Sequence, residues 1–372
     1  MIKRILYTLL IMFPVLASAQ INTDRVMAIG RNALYFEDYV LSIQYFNQVI
    51  NAKPYLSDPY FYRGLAKINL DDFQGAESDC SEAIERNPFV VSAYQVRGLA
   101  RIQQNNFAGA IEDYTKALEF DPENIGVWHN MALCRIRQED YKGAKNDLDK
   151  LIAISPRYTK AYLMRGEVDL KQKDTLAAEK DFGKAIEIDR YDADTWASRA
   201  ILRLQQQRYK DAEADFDHAI RLSTRNSGVY INRALARYHQ NNLRGAMSDY
   251  DIALDIDPNN FIVHYNRGLL RAQVGDDNRA IQDFNFVIEM EPDNMMAIFN
   301  RGLLLDQTGD YKGAIKDYST VINEYPNFLL GYQYRAQARR KIGDVKGADA
   351  DEFKVLKAQL DKQNGVDPNK QT

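Results

Sequence analysis

Small and bulky residues alternate along this chain with a period of 34, in ten registers that begin at Thr23, Ser57, Val91, Ile125, Thr159, Ala193, Ser227, Phe261, Met295 and Leu329. Position 8 of every register is Gly or Ala, from Gly30, Gly64 and Gly98 to Gly302 and Ala336, and position 20 is Ala except for Ser42. A bulky residue usually stands at position 4 (Tyr60, Tyr94, Trp128, Tyr162, Trp196, Tyr230), one helical turn before the small one and therefore on the same face. Turns such as Asn105-Asn106, Gly275-Asp276 and Gly309-Asp310 interrupt the pattern before a second apolar stripe begins. Each register thus predicts two helices joined by a short turn. In the second helix a large side chain at position 24 (Phe46, Tyr114, Leu148, Phe182, Phe216, Tyr250, Phe284, Tyr318) follows the small position 20 by four residues, so bulk and gap share a face and can interlock. Proline at position 32 (Pro54, Pro88, Pro122, Pro156, Pro258, Pro292, Pro326) stops the second helix.

A period of 34 with a bulky residue, a small one, Ala, an aromatic and Pro at these offsets resembles the tetratricopeptide repeat family, over about nine-tenths of the chain. The resemblance implies an all-α fold: a right-handed superhelical solenoid of about ten antiparallel helix-turn-helix repeats, making roughly one full turn. The array is expected over residues 23–360 as one domain, because a solenoid grows by stacking rather than around a single core. Arg190 and Thr224 replace two prolines, and Cys80 and Glu352 replace two position-24 aromatics. The last repeat is a degenerate cap whose polar second helix, Asp344 to about Asp361, suits a solvated end, and residues 361–372 read as a disordered tail.

Residues 1–19 stand outside the repeat. Lys3 and Arg4 precede an apolar run from Ile5 to Leu16, and Ala17-Ser18-Ala19 offers small residues for cleavage before Gln20, the pattern of a secretory signal of bacterial type. A run of about 12 apolar residues containing Pro14 is short of the roughly 20 a bilayer span requires, so no stable membrane span is expected after cleavage. The expected location is the periplasm or the exterior. Loss of the signal leaves 46 basic residues against 52 acidic ones, a net charge of −6 with both signs interspersed, which argues against nucleic acid. Cys80 and Cys134 fall at different offsets two repeats apart, too far for a disulfide, and Cys80 reads as a core thiol.

Arginine recurs at position 7 in eight repeats (Arg63, Arg97, Arg165, Arg199, Arg233, Arg267, Arg301, Arg335) and aspartate at position 23 in nine (Asp79 through Asp351). The first repeat has Ile29 and Tyr45 instead and lacks both, which points to an ion-pair ladder between helices rather than a charged ligand track. His129, His218, His239 and His264 occupy four different offsets, and neither zinc-ligand spacing nor a glycine-rich phosphate loop occurs. No enzyme activity, metal or cofactor is expected.

The family resemblance implies a ligand groove lined by the first helix of each repeat, near positions 2, 5, 9, 12 and 13. In the early repeats these positions carry a polar set that includes Asp24, Asp58, Gln95, Gln103, His129, Arg137 and Lys171. In the last three they carry Ile262, Tyr265 and Leu269, then Met296, Phe299 and Leu303, then Leu330, an apolar and partly aromatic patch. At position 9, Leu269 and Leu303 read first as core between repeats and only second as groove lining. The expected function is a non-catalytic scaffold that binds a protein or peptide partner there, as a monomer or weak oligomer. A glycan or small-molecule ligand stacked on Trp128, Trp196 or Tyr265 is the alternative, although position 4 makes burial the simpler reading of both tryptophans.

Overall fold

A computed structural model describes residues 22–223 and 225–363, and the signal segment lies outside these. The described residues form twenty α-helices and no strand, two helices to each 34-residue register. Contacts gather them into two compact units, one up to Asp181 and one from Phe182. The first holds α1 (Thr23–Tyr35), α2 (Tyr39–Ala52), α3 (Asp58–Ile68), α4 (Phe73–Arg86), α5 (Val91–Gln103), α6 (Phe107–Phe120), α7 (Ile125–Arg137), α8 (Tyr141–Ile154) and α9 (Thr159–Lys171), with α10 (Thr175–Ile188) crossing the division. The second holds α11 (Ala193–Gln205), α12 (Tyr209–Leu222), α13 (Ser227–His239), α14 (Leu243–Ile256), α15 (Phe261–Gln273), α16 (Asp277–Met290), α17 (Met295–Thr308), α18 (Tyr311–Glu324), α19 (Leu329–Lys341) and α20 (Val345–Gln363). Within each unit successive helices pack on one another.

The small position 8 and the large position 24 meet inside one hairpin. A Cβ built on Gly98 would lie 2.8 Å from the Tyr114 ring, and one on Gly302 would lie 3.0 Å from Tyr318, so the ring fills the space a side chain would take. At Gly64 the partner is the Sγ of Cys80, buried and unpaired like Cys134. Burial pushes both thiols up, to about 12 and about 11. Buried side chains at positions 3 and 10, such as Val263 and Leu270, complete the packing.

The turn inside each hairpin has a fixed geometry. Position 15 has positive φ in all ten repeats, from Glu37 at 63° to Gly309 at 94° and Gly343 at 82°, yet only the last three are glycine. Position 16 caps the second helix: Asp72, Asn106, Asp140 and Asp310 each accept a hydrogen bond from the backbone N–H three residues on.

The expected ladder is present in all eight repeats that carry both residues. Arg233 reaches Asp249 at 2.6 Å and Arg301 reaches Asp317 at 2.7 Å, with each aspartate buried. The same guanidinium also donates to position 25 of the preceding repeat, as from Arg63 to Asn47, Arg267 to Asp251 and Arg335 to Ser319, so it ties hairpin to hairpin. A second cation at position 11 (Lys67, Arg101, Arg203, Arg237, Arg271, Arg339) completes a clamp around the carboxylate. In the fourth repeat position 7 is Met131, and Asp147 meets Arg135 alone, at 2.7 Å but without hydrogen-bond alignment. Burial therefore pushes the Asp147 carboxyl up to about 6, against the pull of Arg135.

The final helix is mostly polar and longer than the others. Leu360 occupies the proline position, so α20 continues to Gln363, past the expected start of the tail at 361, and Phe353, Leu356 and Leu360 are exposed along it. Residues 364–372 of that tail lie outside the described ones.

Candidate functional site

The seven residues of the late-repeat patch divide into two groups. Ile262, Met296 and Leu330 stand at position 2 of α15, α17 and α19 and are 54%, 66% and 50% exposed. Every earlier repeat has a charged residue, Ser or Gly there, so an exposed aliphatic residue at this position belongs to the last three repeats alone. Leu269 is also exposed rather than core, but so are Leu99 and Leu235 at the same offset, which leaves it undistinguished.

Tyr265 and Phe299 differ from the expected free surface, because position 5 faces the second helix of its own hairpin, whereas Leu303, at position 9, is partly buried in the core. The Tyr265 ring meets Phe284 edge-on at 5.7 Å and its hydroxyl accepts a hydrogen bond from Asn300 Nδ2 at 3.1 Å. Burial raises the Tyr265 phenol above its ordinary range, with the Asn300 bond opposing. Phe299 lies 5.8 Å from Tyr318, 5.8 Å from Tyr334 and 5.1 Å from Phe328, and Leu303 packs in the same cluster.

Phe299 and Met296 nevertheless reach open space. Together with Met295, Val321, Tyr325 and Phe328 they line an apolar groove of about 820 Å³ between α17, the end of α18 and the turn into α19, with Glu291 and Asp293 on its rim. Positioning follows from the register. Position 34 caps the next first helix through a side-chain oxygen at Asn124, Asp192, Asn226, Asn260 and Asn294. Val90, Tyr158 and Phe328 take that place before α5, α9 and α19 and supply no cap hydrogen bond. Position 31, polar in the other nine repeats, is Tyr325, which is 54% exposed. Reasoning from the first helices missed Val321, Tyr325 and Phe328, because they sit on the second helix and the connecting turn. The signal that finds Tyr325 is an aromatic residue at an offset held by polar residues in the other nine repeats.

Both tryptophans already have partners. Trp196 stacks on His218 at 4.3 Å, carries the Arg199 guanidinium over its ring at 5.0 Å, and donates through Nε1 to the Arg190 carbonyl. Trp128 donates likewise to the Pro122 carbonyl. The remaining histidines have local partners: His129 pairs with Tyr158, His239 stacks on Tyr209, and His264 contacts Asp283 and Phe286. Among the described residues no group of three or more His, Cys, Asp or Glu side chains converges as a metal site, and no helix is long and apolar enough to cross a membrane.

Family models described as TPR repeat match residues 98–134 and 234–275, and models described as tetratricopeptide repeat match 125–158, 159–192 and 265–327; together they span just over half of the chain. No curated protein sequence matches it. Among solved structures, a tetratricopeptide repeat protein from Parabacteroides merdae is 21% identical, covers 67% of this chain and 98% of its own, and superposes with a TM-score of 0.51. YrrB, described as a TPR protein with an unusual peptide-binding site, is 20% identical over 50% of this chain and 95% of its own, with a TM-score of 0.41. Pseudomonas aeruginosa pilF is 20% identical over 54% and 92%, with a TM-score of 0.47.

Proposed function

The chain belongs to the tetratricopeptide repeat family, and from that premise we propose that it is a non-catalytic scaffold holding a peptide segment of a partner protein in the groove of α17, α18 and α19. The fold does not choose a client, so the reading rests on a local observation. At Tyr325 the repeat gives up a turn residue that is polar in the other nine registers, and this aromatic lines the same groove as Phe328, Met296 and Phe299. An exposed aromatic that breaks an otherwise polar position marks a place kept for function. The lining suits the purpose: aromatic side chains supply most binding energy at peptide sites, and the unbranched Met295 and Met296 adapt to different apolar side chains. A volume of about 820 Å³ admits a few side chains rather than a folded domain.

The place of action is outside the cytoplasm, a reading supported by Lys3, Arg4, the apolar run Ile5 to Leu16 and Ala17-Ser18-Ala19. A glycan or small-molecule ligand has weaker support, since Trp196 already stacks on His218 and Trp128 is tied to a carbonyl.

The test is selection of binding peptides from a random displayed library, followed by affinity measurement on Met296→Ala and Tyr325→Ala variants. Both side chains are exposed, so the fold survives, whereas Tyr265 and Phe299 hold the hairpins together and are poor probes. Each variant should weaken the selected peptides by about 1 to 2 kcal/mol. Unchanged affinity in both folded variants removes the groove from the account.

A further inference from the structure

The groove has an uncompensated charge at its rim. Its lining includes two carboxylates, Glu291 and Asp293, and no cationic side chain. Glu291 accepts a hydrogen bond from the Asn294 amide at 3.1 Å, a neutral partner that leaves its charge in place, and Asp293 is exposed. The cations of these repeats are committed or remote. Arg301 is held by Asp317 and Asn285, and Arg279 pairs with Asp276. Lys312 and Lys316 belong to the first turns of α18, about 20 and 14 Å along the helix axis from Tyr325. Apolar walls beside unbalanced carboxylates concentrate a negative potential where a ligand would sit.

Resting on the reading of this groove as a peptide site, we infer that its ligand is a peptide segment that carries a bulky apolar side chain next to Lys or Arg. The apolar side chain seats against Met296, Phe299, Tyr325 and Phe328, and the cation faces Glu291 and Asp293. Hydrophobic contact supplies the affinity, while the charge pair chooses among apolar segments and sets their direction.

Three labelled peptides test this by fluorescence anisotropy against the purified chain: Leu-Phe-Leu flanked on each side by two lysines, by two glutamates, or by two serines. The lysine peptide should bind tightest, by roughly three- to tenfold over the serine peptide, and lose that advantage at raised salt. In a Glu291→Lys, Asp293→Lys variant the order should invert, with the glutamate peptide now preferred. Met296→Ala should weaken all of the peptides that bind. Equal binding of the three peptides, still sensitive to Met296→Ala, overturns the charge selection and leaves the groove as a peptide site. Binding of none of them, or binding insensitive to Met296→Ala, overturns the groove reading and this inference with it.

Discussion

Asp147 should make the fourth repeat weaker at neutral pH than at mildly acidic pH, and Asp147→Asn should remove that dependence. Its carboxyl is buried, lacks the arginine that Met131 displaces, and meets Arg135 in poor alignment. Folding therefore moves its pKa from 3.8 to about 6. Between those values the folded state holds the proton that the unfolded state has released, so stability falls as pH rises through the window. A shift of about two units corresponds to roughly 3 kcal/mol at pH 7, as an upper figure. Asparagine keeps the shape without the charge, so the variant should gain on the parent by about 1 to 3 kcal/mol between pH 4 and pH 7, less whatever Arg135 loses as a partner. Because repeat arrays open locally, the assay is native-state hydrogen exchange of α7 and α8 peptides at several pH values, corrected for intrinsic rates, beside urea unfolding. Asp249→Asn is the contrast. Its carboxylate is clamped by Arg233 and Arg237, and breaking such a buried pair should cost about 3 to 5 kcal/mol at neutral pH. A difference between Asp147→Asn and the parent that stays flat with pH, or that turns against the variant as pH rises, would mean that the Asp147 carboxyl is not raised by burial.

Gly98→Ala should destabilise by about 1 to 3 kcal/mol in urea unfolding, since its Cβ would fall 2.8 Å from the buried Tyr114 ring; a neutral effect would mean that the ring can retreat. Gly309→Ala, at φ 94°, should cost about 1 to 2 kcal/mol, and Gln207→Gly, at φ 61°, should lower the strain of its own turn, both read as shifts in the thermal midpoint. Tyr318→Phe should be neutral or stabilising by up to about 1 kcal/mol, because the phenol oxygen is buried without a hydrogen-bond partner and Phe46, Phe216 and Phe284 fill the same offset; a loss above that would reveal a partner for the hydroxyl.

The hairpins were legible because their packing depends on one contact repeated in every register: a small residue at position 8 under a large one at position 24, as at Gly98 and Tyr114. The Arg and Asp periodicity was equally readable, since Arg301 and Asp317 lie at constant offsets and are absent together from the first repeat. Their second partners were not. The role of Asn47 or Ser319 at position 25 depends on which neighbour a stacked hairpin brings close, and those residues share no single chemistry. The left-handed turn residue was hidden for a related reason: Glu37, Lys173 and Gln207 adopt positive φ without being the residues that favour it, because the close packing of the two helices dictates the turn. Position 2 is exposed at Ile262, Met296 and Leu330, though only Met296 of the three lines the groove, while the rings of Tyr265 and Phe299 are partly covered by neighbouring aromatics. An offset on a helix says which face a side chain takes but not how far the next helix covers it. Tyr325 is found only by the exception it makes in the turn, and Phe328, at an offset also held by Leu56, Val90 and Tyr158, carries no such signal.

The most direct test of the scaffold reading is hydrogen exchange with mass spectrometry on the chain with and without the lysine-flanked Leu-Phe-Leu peptide. Slowed exchange is expected only in residues 291–299 and 321–330, the segments that line the groove. Slowed exchange in the early repeats with these two segments unchanged would contradict that reading.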